Sequence, residues 1–461
     1  MAVSESESVA RKSLGRLVAR GMAWLADQSD RSVAQRIAGT AFLIRVANAG
    51  VVFITQILLA RWMGRFEFGV YVSVWAWVTA LGPLAPLGVA YSATRFIPEY
   101  RARHDDDGLR GFLSGSRRFC FATGTIAAVL VAGGVLVLGD RLPAHQMVPF
   151  LIACIALPIF TLSAAQDGIA RSFNWIDLAL GPTYVIQPLL ILAIVAGIYL
   201  LGGPATAVAM LATACAAMWT AVLVQLIVLQ RRIRSEVAPG PRRYELGVWL
   251  RTALPIFLVD SFFYLLFSVD ILILQAFVNP QDVAVYYAAT KTLALIHFIY
   301  FAVGAASAHR FSEYHVAGDR GKLESFIADT TRWMFWPSVA LGFVLVVLGK
   351  PILMLFGTGF EAGYPLICII MVGLLARASV GPAERVLNMT GQQSACAFVY
   401  ATALAVNVAL CFLLIPRFGL TGAAAATATA VVVESGLLLL AVKRRLGVTM
   451  SVFAGMFARA A

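Results

Sequence analysis

The sequence predicts an all-α polytopic membrane protein of about twelve transmembrane helices, arranged as two six-helix lobes related by a parallel internal repeat. Three observations predict it. Of 461 residues, 60% are hydrophobic and 13% charged, with mean hydropathy +0.82, more apolar surface than a water-soluble chain of this length can hide. The Lys and Arg residues alternate between connecting segments as they do in a chain that threads a bilayer repeatedly. The residue pattern of the first half recurs in the second.

The elements follow in order. The first 36 residues are polar and carry Arg11, Lys12, Arg16, Arg20, Arg31 and Arg36. They lack an apolar core followed by a small-residue cleavage site, so they do not read as a cleaved signal peptide. Leu14, Leu17, Val18, Met22, Trp24 and Leu25 could line one side of a basic amphipathic helix lying on the membrane, a solvated tail being the alternative for 1–37. Twelve apolar runs come next, at 38–60, 70–92, 119–138, 147–165, 179–200, 206–229, 252–277, 284–307, 333–349, 364–386, 395–415 and 420–442. Each approaches the roughly 20 residues that cross about 30 Å of hydrocarbon as a helix. Strand-sized alternating segments, the mark of a β-barrel, are absent. The ninth run is interrupted by Lys350-Pro351 and then continues to Phe356.

Loop charge tests the count independently. With the N-terminus inside, 28 of the 36 Lys and Arg fall in inside segments, five in outside loops (Arg61, Arg65, Arg141, Lys350, Arg417) and three within spans. Adding or losing one span would scramble the alternation downstream, so the reading places both termini on the cytoplasmic side. The same bias explains the net charge of +12, and no tract interleaving Lys with aromatics stands apart from the loops, which excludes nucleic acid as a partner. The longest polar connection, 231–251, holds Pro239-Gly240-Pro241 and reads as a cytoplasmic linker between an N-lobe (38–230) and a C-lobe (252–445), with a cytoplasmic tail at 446–461.

The repeat supports that division. Val70-Tyr71 through Arg95-Phe96 matches Val285-Tyr286 through Arg310-Phe311. After a one-residue slip, Glu99-Tyr100 matches Glu313-Tyr314, Asp105 matches Asp319, Phe112 matches Phe326, and Arg118-Phe119 matches Arg332-Trp333. Six spans per half give both lobes the same orientation, a plan that places a site between them.

Six charges fall clearly within the spans: Arg45, Lys291 and Arg377 against Asp260, Asp270 and Glu434. Each costs roughly 2.5–3.5 kcal/mol on the lenient insertion scale, so each needs a partner or a polar cavity. Their depths suggest pairs: Asp270 with Lys291, Asp260 with Arg45 and Glu434 with Arg377. One reading is three structural ion pairs. The other is a polar path in which Arg45, Lys291 and Arg377 attract an anion while Asp270, Asp260 or Glu434 takes up H⁺ or Na⁺. Arg45 is the strongest candidate, because its planar fork suits phosphate. Asn48 shares its helical face, and Gln56 occupies the repeat position of Asp270. Gln187 and His297 also lie within spans. Prolines 83, 86, 182, 188 and 255 mark bends.

No enzyme motif appears. The sequence lacks a phosphate-binding GxxxxGK[ST] loop, HExxH and GxSxG. Six cysteines are scattered through apolar segments with no CxxC pair, so neither a disulfide framework nor a metal site is expected, and no cofactor is implied.

Several segments together resemble the polysaccharide-exporting (Wzx-type) flippase family. Ile57-Leu58-Leu59-Ala60-Arg61-Trp62-Met63-Gly64 with Glu67-Phe68-Gly69-Val70-Tyr71 is similar to that family's opening motif. Asp270-Ile271-Leu272-Ile273-Leu274 before Tyr286-Tyr287-Ala288-Ala289, Leu355-Phe356-Gly357 with Phe360, and Ile415-Pro416-Arg417-Phe418-Gly419-Leu420-Thr421-Gly422 resemble its later segments. The resemblance runs from about 38 to 445. It implies membership of the multidrug/oligosaccharidyl-lipid/polysaccharide exporter superfamily, a MATE-like architecture and alternating access. It further implies a polyprenyl-diphosphate-linked oligosaccharide moved across the bacterial inner membrane for O-antigen, capsule or exopolysaccharide export, beside a glycan polymerase and chain-length regulator. The alternatives are a cation-coupled multidrug exporter of the same superfamily and a membrane enzyme of glycan assembly, against which the short outside loops argue. The even balance of three cations and three acids departs from the strongly cationic cavity that the resemblance implies.

Overall fold

The structure, a computed structural model, describes residues 30–139, 143–266 and 268–448 together with 450 and 452. The expected amphipathic stretch at 14–25 and most of the C-terminal tail lie outside the described residues. Every regular element among the described residues is helical. In bilayer this is the physical requirement, because a helix satisfies its own backbone polar groups where no water can.

The first half contains α1 (Asp30–Leu84), α2 (Val89–Ala102), α3 (Asp106–Val137), α4 (Ala144–Cys154), α5 (Ala156–Ser172), α6 (Ile176–Gly181), α7 (Gln187–Leu200) and α8 (Ala207–Glu236). The second contains α9 (Leu246–Leu266), α10 (Val269–Leu274), α11 (Pro280–Leu293), α12 (His297–Val316), α13 (Arg320–Val347), α14 (Gly349–Phe356), α15 (Tyr364–Val380), α16 (Ala383–Met389) and α17 (Gln393–Leu446). Nine helices among the described residues are long and apolar enough to cross a membrane. Two of these contain a break: Gly64 (φ 75°, ψ 169°) in α1 and Gly419 (φ 56°, ψ −129°) in α17. Positive φ is strained for any residue with a Cβ, so glycine sits at both breaks and each helix supplies two crossings. The α9–α10 segment, itself outside those nine, completes the twelve.

The repeat is reproduced in detail. Asp105 (φ −92°, ψ 78°) and Asp319 (φ −80°, ψ 78°) each cap the helix that follows, accepting from Gly108 N at 2.9 Å and Lys322 N at 3.0 Å. Each follows a left-handed residue, His104 (φ 53°) and Gly318 (φ 68°). Each donates its own N–H to the tyrosine five residues back, Tyr100 O at 2.9 Å and Tyr314 O at 3.2 Å. Phe96 packs on Phe112 with ring centroids 5.5 Å apart, and Phe311 on Phe326 at 5.3 Å. A shared cap, turn and aromatic contact at matched positions is what duplicated sequence produces.

Proline and glycine set the interruptions. The second span breaks between Leu84 and Val89 at Pro86-Leu87-Gly88, with Leu87 (φ 49°) and Gly88 (φ 78°) left-handed. Pro182 opens a single turn of π-helix, 182–186, inside the fifth span, where a missing N–H loosens the ladder. The ninth apolar run divides where its Lys350-Pro351 interruption falls. α13 ends at Val347, and the remainder forms the short amphipathic α14.

The connection between halves is shorter than its polar composition suggests, running from Val237 to Glu245. It lies against α2 and α3. Arg110 donates to the carbonyls of Pro241 and Ala238, both at 2.9 Å. Arg243 pairs with Asp105 and Glu245. Trp249, fully buried, donates from Nε1 to Tyr100 at 3.1 Å, and Tyr100 donates to Glu245 at 2.9 Å. Asp105 has its carboxyl held below the ordinary aspartate range, first by the Gly108 N–H and then by the Arg243 guanidinium.

The halves also meet at both ends of the bundle. At the hairpin end, a Cβ on Gly69 would stand 1.8 Å from the Pro280 carbonyl oxygen. Only glycine allows backbones this close. Phe68 there packs against Tyr287 and Phe360. At the linker end, a Cβ on Gly88 would stand 2.6 Å from the Ala253 carbonyl oxygen.

Candidate functional site

The three intramembrane cations gather around one broken helix, α11 and α12, which are joined by a 3₁₀ turn at Ala294–Ile296. Lys291 is on α11 and places its ammonium over the Tyr287 ring at 4.9 Å. Arg377, from α15, lies over Tyr300 of α12 at 5.7 Å. Arg45, from α1, lies over Phe301 of α12 at 4.6 Å and over Tyr184 at 5.1 Å. Such faces attract cations through the ring quadrupole, by about 0.5–2 kcal/mol depending on desolvation. His297, on the same helix, is within electrostatic reach of both Lys291 and Arg377.

One of the three depth-matched pairs forms an ion pair. Arg377 meets Glu434 of α17 at 3.1 and 3.3 Å and Glu384 of α16 at 3.7 Å, with Glu434 wholly buried. The second pair does not form. Asp270, buried on α10, accepts from Tyr286 Oη at 2.7 Å, Thr427 Oγ1 at 3.2 Å and the Ile271 N–H at 2.8 Å. Lys291 lies within Coulombic reach but not in salt-bridge contact, and it is exposed although mid-sequence in a span. The reason is chemical: two hydroxyls and an amide satisfy the carboxylate at shorter range. For the third pair, the Asp260 side chain lies outside what the structure describes. Arg45 has no salt-bridge partner within 4 Å among the described residues. Among the described residues, Asp167 of α5 is a carboxylate within its electrostatic reach.

Asn48 and Gln56 both lie on α1. Each has a buried side-chain carbonyl oxygen without a hydrogen-bond partner among the described residues. A buried amide oxygen left alone costs about 1–3 kcal/mol, so each is a polar position left unsatisfied in this conformation. Gln187 is half-buried at the start of α7.

Sequence reasoning missed a polar cluster in the first lobe. Asp167 accepts from Gln225 Nε2 at 2.8 Å and Thr183 Oγ1 at 3.4 Å, and Gln225 also donates to the Leu178 carbonyl at 2.8 Å. Gln166 is fully buried with neither amide atom bonded among the described residues. Asp167 lies two residues beyond the apolar run drawn for the fourth span, whereas α5 continues to Ser172. Extending the helix by less than one turn would have brought it in. Among the described residues no group of three His, Cys, Asp or Glu side chains could hold a metal ion, and all six cysteines are free.

Twelve crossings in two like-oriented halves, with charges gathered around a broken helix where the halves meet, are the architecture of a multi-pass membrane protein. The family profile described as "Polysaccharide biosynthesis protein" matches residues 37–315, and the MatE profile matches 255–413. The first spans more than half of the chain, which belongs to the polysaccharide biosynthesis protein family. No curated protein matches it.

Solved structures agree on the fold. An inward-facing multidrug resistance MATE transporter of the MOP superfamily superposes with TM-score 0.70 at 14% identity, covering 88% of this chain and 98% of that one. The lipid II flippase MurJ, inward closed, gives 0.68 at 14%, covering 88% and 87%. A MOP-superfamily transporter from Pyrococcus furiosus, described by the reverse polarity of its binding pocket, gives 0.64 at 14%, covering 89% and 96%. The architecture is therefore MATE-like, as the resemblance in the sequence led us to expect.

Proposed function

We propose that this protein is an alternating-access flippase that carries a polyprenyl-diphosphate-linked oligosaccharide across the bacterial inner membrane, with both termini cytoplasmic, for O-antigen, capsule or exopolysaccharide export. The observation that carries the reading is the setting of Arg45. Its guanidinium lies between an aromatic ring of each half, Tyr184 and Phe301, with no salt bridge among the described residues. Arg has five donors in a planar fork, and ring faces occupy none of them. Arg45 and Lys291 would engage the diphosphate. Asn48 and Gln56 would offer acceptors to sugar hydroxyls. Arg377, balanced by Glu434 and Glu384, would become available only if α15 and α17 part. Membership of a polysaccharide biosynthesis family supports the cargo, and a glycan polymerase and chain-length regulator would act downstream.

A second reading, a cation-coupled multidrug exporter, is favoured by the MatE match over 255–413 and by the several multidrug transporters that share the fold. In that reading Asp270, Asp260 or Glu434 takes up H⁺ or Na⁺ against a hydrophobic cation.

The deciding experiment uses proteoliposomes containing a fluorescent polyprenyl-diphosphate oligosaccharide in the leaflet facing the linker end. Arrival of the label in the opposite leaflet, read by an impermeant quencher, is expected. Ion-driven efflux of ethidium with no movement of the glycan lipid would overturn the flippase in favour of the exporter.

A further inference from the structure

Far from Arg45, the hairpin end holds a cavity of about 610 Å³ walled by both halves. Arg45 and Arg61 are sixteen residues apart along one helix, about 24 Å at 1.5 Å per residue. The first half contributes Arg61, Gly64 and Arg65, and the second contributes Thr358, Phe360 and Glu361. The volume falls in the range of small-ligand sites, about 300–1,000 Å³.

Charge in this cavity is uneven. Arg61 and Arg65 are both exposed, and neither forms a salt bridge within 4 Å among the described residues. The nearest acid in sequence, Glu67, is drawn away: its carboxylate accepts from the Ala207 N–H at 2.7 Å. Glu361 lines the cavity, but one of its oxygens is taken by the Gly359 N–H at 2.8 Å. Arg65 makes one long contact, Nη1 to the Gly359 carbonyl at 3.5 Å, which leaves four of its five N–H groups to spare. These are two of the five Lys and Arg that the topology puts on the outside, where arginine runs against the usual bias.

The wall geometry also favours a ligand. Gly64 (φ 75°) lines the cavity, and Gly359 (φ 86°) lies in the chain between the lining residues Thr358 and Phe360. A Cβ on Gly64 would meet nothing within 4 Å, whereas one on Gly359 would stand 2.6 Å from the Arg65 guanidinium. Glycine at 359 therefore lets Arg65 approach the opposite half. The cavity combines two cationic forks, a hydroxyl at Thr358 and a carboxylate at Glu361. A purely anionic ligand would meet Glu361, and a neutral sugar would leave both arginines unused.

We infer that this cavity is a second binding site, for a saccharide bearing a phosphate or carboxylate. The anion lies between Arg61 and Arg65, while Glu361 and Thr358 bond to ring hydroxyls. That the saccharide is the head group of the transported lipid rests on the flippase reading above. Because both halves wall the site, an occupied site links them at the hairpin end.

Full-length protein in nanodiscs, with glucose 1-phosphate as probe and glucose as control, tests this by saturation-transfer NMR. Glucose 1-phosphate should bind and glucose should not. Arg61→Gln and Arg65→Gln should each weaken binding roughly tenfold or more, the loss of a charged hydrogen-bond donor. Arg417→Gln, another exposed arginine, should leave binding unchanged. Equal binding of glucose, or wild-type binding by the Arg61 and Arg65 variants, would overturn the assignment. Native mass spectrometry with undecaprenyl phosphate separates the sources. Retention lost in the double variant supports a lipid-borne anion, and retention unchanged while glucose 1-phosphate binding is lost supports a soluble one. Binding is read at equilibrium without transport, so a failure of flipping in proteoliposomes leaves this result standing.

Discussion

Removing Arg377 should destabilise the protein through the acid it leaves behind. Arg377 contacts both oxygens of Glu434, and Glu434 is wholly buried. Glu384, about a quarter exposed, approaches the same guanidinium at 3.7 Å. Arg377→Met keeps most of the volume and deletes the charge, so two neighbouring carboxylates lose the cation between them. Breaking a buried pair from one side costs about 3–5 kcal/mol in soluble proteins. Polar contacts within a bilayer run weaker, because the unfolded reference also finds partners, so about 3 kcal/mol is the better expectation. At about 2 °C per kcal/mol for a large chain, Tm should fall by roughly 6 °C. Thermal unfolding of the purified protein, followed by tryptophan fluorescence, reads this directly. Arg377→Met combined with Glu434→Gln removes the orphaned charge and should recover most of the loss. A single variant melting within about 1 °C of wild type, or a double variant no better than the single one, would refute the reasoning.

Three further outcomes are expected. Arg45→Ala should abolish glycan-lipid transport in proteoliposomes without lowering protein level, and full activity in that variant would remove Arg45 from the mechanism. Gly69→Ala places a methyl where the Pro280 carbonyl now lies. It should separate the halves at the hairpin end, lengthen the distance between spin labels at 61 and 358, and cost about 1–3 kcal/mol by overpacking; an unchanged distance would contradict it. Asp105 has a folded-state pKa below its unfolded value, so its contribution is present at neutral pH and is lost as pH falls through the folded value, below the ordinary aspartate pKa of about 4. Fluorescence of Trp249, with the other tryptophans replaced, should report linker release at the acid end of a titration, and Asp105→Asn should remove that step; an identical acid limb in both proteins would count against the Asp105–Arg243 tie.

The fold was legible because its causes are one-dimensional. Bilayer thickness sets span length, loop charge sets the alternation, and duplicated sequence yields duplicated turns, as Asp105 and Asp319 demonstrate. The depth of a charge could also be read, and it correctly brought Arg377 to Glu434. Rotation about the helix axis could not be read from depth alone. Asp270 therefore faces Tyr286 and Thr427, although Lys291 sits at a matching distance from the connecting turn. Asp167 was lost to a helix end drawn at the limit of apolar residues, since a helix continues as long as its polar groups find partners inside the lobe. The hairpin-end cavity was invisible for a different reason: it joins a turn at 61–65 to a loop at 357–361, almost 300 residues apart.

The balance of three cations and three acids argued against a cationic cavity only while the charges were counted as one set. Their positions divide them. Glu434 and Glu384 offset Arg377, whereas Asp270 has its oxygens taken up by hydroxyls and a backbone amide. Among the described residues, which leave out the Asp260 side chain, the cations on aromatic faces without a salt bridge are Lys291 on α11 and Arg45 on α1. Aromatic faces hold a guanidinium or ammonium in place without using its N–H donors, and so without competing directionally with an incoming anion. A carboxylate in the same position would be displaced only at the cost of its own desolvation. In the flippase we propose, Arg45 and Lys291, from opposite halves, are the cations through which an anionic head group would draw the halves together. A hydrophobic cation would instead meet ring faces already occupied. On the proposed flippase reading, it is this asymmetry, and not the net charge of the membrane segment, that would suit an anionic cargo.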